Sequence, residues 1–271
     1  FICGLSKKLL ISNAMGQMAD AVFVLPAGEI GMFAAWMGAV CYTLQIYFDF
    51  SGYSDMAIGM GRMFGFHFLE NFDYPYAATT IKEFWRRWHI SLSTWFRDYL
   101  YIPLGGNRKG RGRTWLNRFL VFFATGLWHG ASWTFVLWGL WHGLFSVLED
   151  SGALPVKLFK GKLLGRVYTL LVVVLGFTLF RADTLSQAGA MFAAMFTGVG
   201  LNWTGTVTVC SLLSPVFLLT LVFALLLSFP VAKRIQPKND TATLIGALVL
   251  LVLCMFNLSA GTFNPFIYFR F

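Results

Sequence analysis

Four histidines carry most of the acid–base potential of this sequence near neutral pH: His67, His89, His129 and His142. His129 is the most unusual. It stands in Gly126-Leu127-Trp128-His129-Gly130, inside a run from Phe119 to Val147 that contains no Asp, Glu, Lys or Arg. A polar group at membrane depth needs a protein partner or a water-filled cavity, and an ionisable residue there is read as functional by default. A neutral imidazole can take a proton from an attacking hydroxyl and return it to a leaving group, work usually worth 10²- to 10⁴-fold in rate. His89, in Trp85-Arg86-Arg87-Trp88-His89-Ile90-Ser91-Leu92-Ser93, is the second candidate, beside the plainer reading that it only tolerates an interface. His67, in Gly65-Phe66-His67-Phe68, reads as structural. His142 repeats the Trp-His-Gly tripeptide of His129, but 13 residues at about 100° each put the two on different faces of a continuous helix. They are no evident metal pair, and His142 is left out of the expected site as a packing residue.

Other chemistries lack their motifs. The sequence has no P-loop, G-x-G-x-x-G, G-x-S-x-G or H-E-x-x-H, so nucleotide hydrolysis, dinucleotide cofactors, hydrolase elbows and zincin-type metal sites have no support. Cys3, Cys41, Cys210 and Cys254 lie in apolar settings without C-x-x-C spacing or a nearby His, which argues against a metal site and against a disulfide framework.

The elements that must position these residues are membrane elements. The 271 residues are 57% hydrophobic, 18% aromatic and only 12% charged, where a soluble domain carries about a quarter. The expected fold class is therefore all-α, a polytopic integral membrane protein built as a helical bundle. The 21 Lys and Arg outnumber the 12 Asp and Glu, and the excess sits in short clusters between apolar runs. That pattern speaks of cytoplasmic loops and not of nucleic acid.

The stretch from Asn117 to Asp150 is too long for one upright helix and too short for two full spans, since a ~30 Å hydrocarbon core takes ~20 helical residues. Basic clusters flank it on both sides, Asn107 to Arg113 before and Lys157, Lys160, Lys162 and Arg166 after, so an even number of crossings follows. The expectation is a bent hairpin or re-entrant element with His129 near its deepest point, its bend at Gly126 to Gly130.

Upstream, Thr80-Ile81-Lys82-Glu83 has capping-box spacing and starts a helix near Ile81. Wound as one helix, the next twenty residues gather Ile81, Phe84, Trp85, Trp88, Leu92, Trp95, Phe96 and Tyr99 on one face and Lys82, Arg86, Arg87 and Arg97 on the other, with His89 at the seam. This predicts an amphipathic helix in the interface, its aromatic face in the acyl chains. Its basic face, with the loop of Arg108, Lys109, Arg111 and Arg113, suits an anionic ligand arriving from the cytoplasm.

Elsewhere, Phe1 to Leu25 reads as an interfacial or re-entrant helix. Spans are expected at Ile30 to Phe48, Val167 to Phe180, Leu212 to Val231 and Leu244 to Leu258, with a weak surface helix at Ala188 to Phe196. Asp49-Phe50-Ser51-Gly52-Tyr53-Ser54-Asp55 is either a solvated helix end or the polar lining of a cavity mouth.

Three stretches, Trp85 to Ser93, Arg97 to Gly106 (Arg97-Asp98-Tyr99-Leu100-Tyr101-Ile102-Pro103-Leu104-Gly105-Gly106) and Gly126 to Ala131, closely resemble the membrane-bound O-acyltransferase family. Phe48 to Asp55 and Asn264 to Phe269 resemble its bacterial branch of alginate O-acetyltransferases. The resemblance covers essentially the whole chain. It implies one transmembrane domain over 1–271 that lacks amino-terminal spans of longer family members. It also implies that His129 matches the family's catalytic histidine and His89 its second motif histidine; Arg86 and Arg97 of the basic face, with Trp128, are the residues expected on the donor side. The implied activity is transfer of an acyl group, here acetyl, from a cytoplasmic thioester such as acetyl-CoA or an acyl carrier, with no bound cofactor and no metal. The acceptor would be an extracytoplasmic polysaccharide such as alginate, reached with secreted acetyltransferase partners, and the protein would sit as a multi-pass protein among the lipids of the bacterial inner membrane. Three rivals stand beside this reading: D-alanyl or other acyl transfer to a cell-wall polymer, a transporter or proton channel, and a non-catalytic scaffold for secreted modifying enzymes. The second would call for acidic groups within the spans, which Phe119 to Val147, Val167 to Phe180 and Leu244 to Leu258 lack.

Overall fold

A computed structural model describes residues 1–154, 163–198, 202–231, 239–261 and 266. Lys157, Lys160 and Lys162 of the second basic cluster, the cluster Lys233, Arg234 and Lys238, and all of the Asn264 to Phe271 stretch except Phe266 lie outside the described residues. Among those described, the secondary structure is helical throughout. The chain divides into two compact units, Phe1–Glu70 with Ala193–Phe271, and Asn71–Phe192.

In the first unit, α1 (Ile2–Ser6), a π-helical turn (Lys7–Ser12) and α2 (Asn13–Phe23) follow one another and pack along α3 (Met32–Met63). The close crossing depends on glycine: a Cβ on Gly4 would lie 2.4 Å from the carbonyl oxygen of Gly52. The helix α3 runs 32 residues without a break, so Asp49 to Asp55 is not a helix end. Asp49 is buried and meets Lys8 Nζ at 2.5 Å and the Ser12 hydroxyl at 3.1 Å, while Asp55 pairs with Lys7 at 2.7 Å. Both carboxylates thus answer the two lysines of the amino-terminal segment, about half of whose residues are buried.

The second unit carries α4 (Ile81–Arg87), α5 (Ile90–Phe96) and a π-helical turn (Arg97–Tyr101), then α6 (Arg111–His129), α7 (Trp133–Ser151) and α8 (Leu163–Arg181). The expected single amphipathic helix from Ile81 is broken. Trp88 is extended and His89 is left-handed, with φ 45° and ψ 57°, which separates α4 from α5. The first half of the aromatic face does not meet lipid either: Ile81, Phe84 and Trp88 are buried, Phe84 and Trp88 both packing on Tyr76 and Phe177. Trp95 and Tyr99 remain exposed.

The hairpin is present, but its turn is Gly130-Ala131-Ser132, just after His129, and Gly126 is helical. Ser132 caps α7 by accepting the Thr134 amide at 3.3 Å. The two helices have 19 residues each, about 28 Å, because α6 starts inside the basic loop and α7 ends beyond the apolar run. Gly126 and Gly139 serve contact, not bending. A Cβ on Gly139 would lie 2.2 Å from the Phe122 carbonyl oxygen, and one on Gly126 would lie 2.5 Å from that of Phe135.

Then α9 (Leu185–Thr197) is longer than the weak helix expected, and buries Ala188, Met191, Ala194 and Met195. The expected span Leu212 to Val231 is instead a pair, α10 (Trp203–Leu212) and α11 (Pro215–Leu227), bent by 87° at Leu213-Ser214. Ser214 caps α11 and Pro215 opens it. Last comes α12 (Asp240–Ala260). By length and apolar composition, α8 and α12 can each cross a membrane, and the α10–α11 pair can cross as one broken span. The protein is an all-α membrane protein.

Candidate active site

His89 and His129 come together in the second unit although forty residues separate them in sequence. The start of α4 is fixed first. Thr80 accepts the Glu83 amide at 3.0 Å, as the capping box predicts, and Glu83 in return accepts the amide of Thr79, one residue before the cap, at 2.8 Å. Glu149, near the end of α7, accepts the amides of Ile81 at 2.6 Å and Lys82 at 3.2 Å and the hydroxyl of Tyr168 at 3.2 Å. Asp150 pairs with Lys82 and, at 2.9 Å, with Arg118 of α6. These bonds join α4 to the hairpin.

At the other end of α4, the left-handed turn directs His89 inward. A non-glycine residue rarely adopts this conformation unless its surroundings impose it. Asn71 does so: its backbone carbonyl accepts the Ile90 amide at 3.0 Å, and its side-chain oxygen accepts the Ser91 amide and hydroxyl, each at 3.0 Å. The same oxygen lies 3.3 Å from His89 Nδ1. The Ser91 hydroxyl also lies 3.3 Å from Nδ1, so Asn71 and Ser91 together hold this edge of the ring. Burial lowers the pKa of the His89 imidazole to about 4, so it is neutral at physiological pH.

His129 ends α6, with Gly130 following as the cap. Three rings stand nearly perpendicular to its own: Trp128 at 4.8 Å between centroids, Trp138 of α7 at 5.1 Å and Phe180 of α8 at 5.2 Å. His129 is only partly buried, whereas His89 and Trp138 are buried. Trp128 touches both histidines, its ring 6.3 Å from that of His89, and is itself 53% exposed, which offers an open aromatic platform between two imidazoles.

Arg86 and Arg97, expected on the donor side, are both exposed, and Arg97 is held by Asp98 through bonds of 2.7 and 3.2 Å. The basic loop is exposed too and is tied to α6 by Asn117, which donates to the Gly106 carbonyl at 2.9 Å. His67 is an exposed loop residue. Sequence reasoning missed Asn71, Trp138 and Phe180. Asn71 gave only the signal of a loop, and the two aromatics sit among many others at helical spacing.

Two imidazoles beside one open aromatic ring, in a helical unit with an exposed basic surface, suit a class of membrane enzyme that works by proton transfer. Comparison with known proteins makes the family definite. Residues 6–182 match the membrane-bound O-acyltransferase family, and the chain belongs to that family. It is 43% identical over 294 residues to the probable alginate O-acetylase AlgI of Pseudomonas putida, covering 100% of this chain and 60% of the relative. It is 40% identical over 205 residues to the peptidoglycan O-acetyltransferase of Helicobacter pylori, covering 74% of this chain and 38% of the relative. A more distant match, 35% over 117 residues, is the teichoic acid D-alanyltransferase of Streptococcus thermophilus, covering 41% of this chain and 28% of the relative. The chain thus spans at most about 60% of the length of these curated relatives.

Proposed function

We propose that the complete protein is a membrane O-acetyltransferase of the bacterial inner membrane, a multi-pass protein that carries acetyl groups from a cytoplasmic thioester towards an extracytoplasmic polysaccharide of the alginate type. The observation that carries this reading is the convergence of His89 and His129 on Trp128 in a chain of this family. In the reaction, His129 accepts the proton of the acceptor hydroxyl as its oxygen bonds to the acyl carbon. The carbon–sulfur bond then breaks, and the proton passes to the departing thiolate, leaving an ester and a thiol. The perpendicular rings of Trp128, Trp138 and Phe180 hold the imidazole in one orientation and limit water around it. Trp128, the most open of the three, is the surface on which the acyl thioester lies. His89, neutral and held at Nδ1 by Asn71 and Ser91, supports the reaction as a second base or as a hydrogen-bonding partner. The preference for acetyl over D-alanyl rests on the greater similarity to O-acetylating relatives. Secreted acetyltransferases are the expected protein partners, and the donor is acetyl-CoA or an acyl carrier.

The test is reconstitution of the full-length protein in proteoliposomes with acetyl- and D-alanyl-thioesters in parallel. Release of free thiol with the acetyl donor and an added acceptor, at a rate well above that with D-alanyl, supports the reading. Preference for D-alanyl, or transmembrane proton flux with no thiol release, overturns it.

A further inference from the structure

The second Trp-His-Gly tripeptide, set aside in the sequence, packs behind the first. His142 in α7 is fully enclosed, and neither ring nitrogen has a hydrogen-bond partner among the described residues. Its imidazole lies parallel to Phe84 at 6.2 Å and perpendicular to Trp85 at 5.1 Å and to Trp138 at 5.5 Å. Trp138 in turn stands perpendicular to His129 at 5.1 Å. On its remaining side the ring meets Gly176 of α8, where an added Cβ would lie 2.7 Å from Nε2. The indole of Trp138 is therefore wedged between two imidazoles, one exposed in part and the other locked by Phe84, Trp85 and a glycine.

Leaving a buried polar group unsatisfied costs about 1–3 kcal/mol, so a position that needed only apolar volume would be better filled by leucine. A phenyl ring is one atom larger and would press on Gly176. The flat five-membered ring is the shape that both clears Gly176 and supports Trp138. We propose that His142 is a positioning residue for His129, acting through Trp138. This rests on the reading of His129 as the proton-transferring group. A 1 Å misplacement of such a group is enough to cost about 10²-fold in rate, so the support behind Trp138 matters although His142 touches no substrate.

The experiment uses the full-length protein, purified in detergent, with kcat and donor KM measured for acetyl transfer in His142→Leu, His142→Asn, Gly176→Ala, Trp138→Phe, His142→Leu/Trp138→Phe and His129→Gln. The expected result is that His142→Leu and Gly176→Ala each lower kcat at least tenfold with donor KM changed less than twofold. The double variant should be no worse than the more damaging of its two singles, because both remove the same support. His142→Asn, smaller but still flat, should recover part of the loss of His142→Leu. Unchanged kcat in His142→Leu, or multiplicative losses in the double variant, overturns the proposal while inactivity of His129→Gln keeps the reading of His129 intact. If His142→Leu does not accumulate, Gly176→Ala and His142→Asn decide by the same criteria. Full activity of His129→Gln would instead remove the reading on which the proposal stands.

Discussion

The geometry of the hairpin makes a strong demand at Gly139. Its ideal Cβ position lies 2.2 Å from the Phe122 carbonyl oxygen and 3.1 Å from its carbon, both backbone atoms that no rotamer change can move aside. Ordinary contact begins near 3.4 Å, so Gly139→Ala requires α6 and α7 to separate locally by about 1 Å. Overpacking of this kind costs about 1–3 kcal/mol, which a hairpin of two 19-residue helices can survive. The site should not survive it, because His129 sits on α6 and Trp138 on α7, and their 5.1 Å ring contact spans the same seam. A displacement of about 1 Å at a reacting group is worth about 10²-fold in rate. The assay is acetylation of secreted polymer by cells making the full-length protein, normalised to the amount of protein in the membrane. Gly246→Ala in α12, where a Cβ meets nothing within 4 Å, is the control for substitution of a helical glycine. Polymer acetylation at the normal level by a well-inserted Gly139→Ala protein would refute the claim that the hairpin seam sets the site.

Three further outcomes follow from particular contacts. His89 is neutral in the fold and its pKa is about 4, against 6.5 when unfolded, so the unfolded chain takes up its proton first as pH falls. Stability is full above about pH 6.5 and is lost down to about pH 4, by about 3 kcal/mol at most, since one pKa unit is worth about 1.4 kcal/mol. His89→Asn should flatten the fall in detergent Tm over that window; parallel curves for the two proteins would contradict the burial of the ring. In the first unit, removing one partner of the Lys8–Asp49 pair strands a buried charge, at a cost of about 3–5 kcal/mol. Lys8→Met and Asp49→Leu should each lower Tm sharply and the double variant should recover much of the loss, whereas additive losses would show that the pair is not the unit that matters. Finally, neutralising Arg108, Lys109, Arg111 and Arg113 together should raise donor KM at low salt, and the difference should fade towards 1 M salt, where screening reaches about 3 Å. An unchanged KM across the salt series in correctly oriented protein would leave these charges a topological role only.

Much of this was legible in the residues. The apolar run around His129 announced a hairpin because its length fitted neither one span nor two, and Thr80 announced the start of α4 because a capping side chain is a local device. The left-handed conformation of His89 was not legible, since helical periodicity carries through that position without interruption. Its cause is Asn71, eighteen residues upstream, and a bond between a loop and a distant turn leaves no trace in periodicity. The aromatic face was assigned to lipid because a hydrophobic stripe looks the same whether it faces acyl chains or Phe177. The break at Leu213-Ser214 was written in the sequence as Ser214-Pro215, a cap followed by a helix-opening proline, yet continuous hydrophobicity outweighed it. The burial of Asp49 was missed for the opposite reason: a carboxylate after an apolar run suggests water until its lysine is found forty-one residues away.

The most direct measurement is polymer acetylation in cells that make the full-length protein with His129 replaced by Gln. Glutamine keeps a hydrogen-bonding side chain of similar volume but cannot shuttle a proton near neutral pH. The account predicts membrane levels close to wild type with acetylation lost, at least 10²-fold down. Acetylation at the wild-type level by a His129→Gln protein would contradict it.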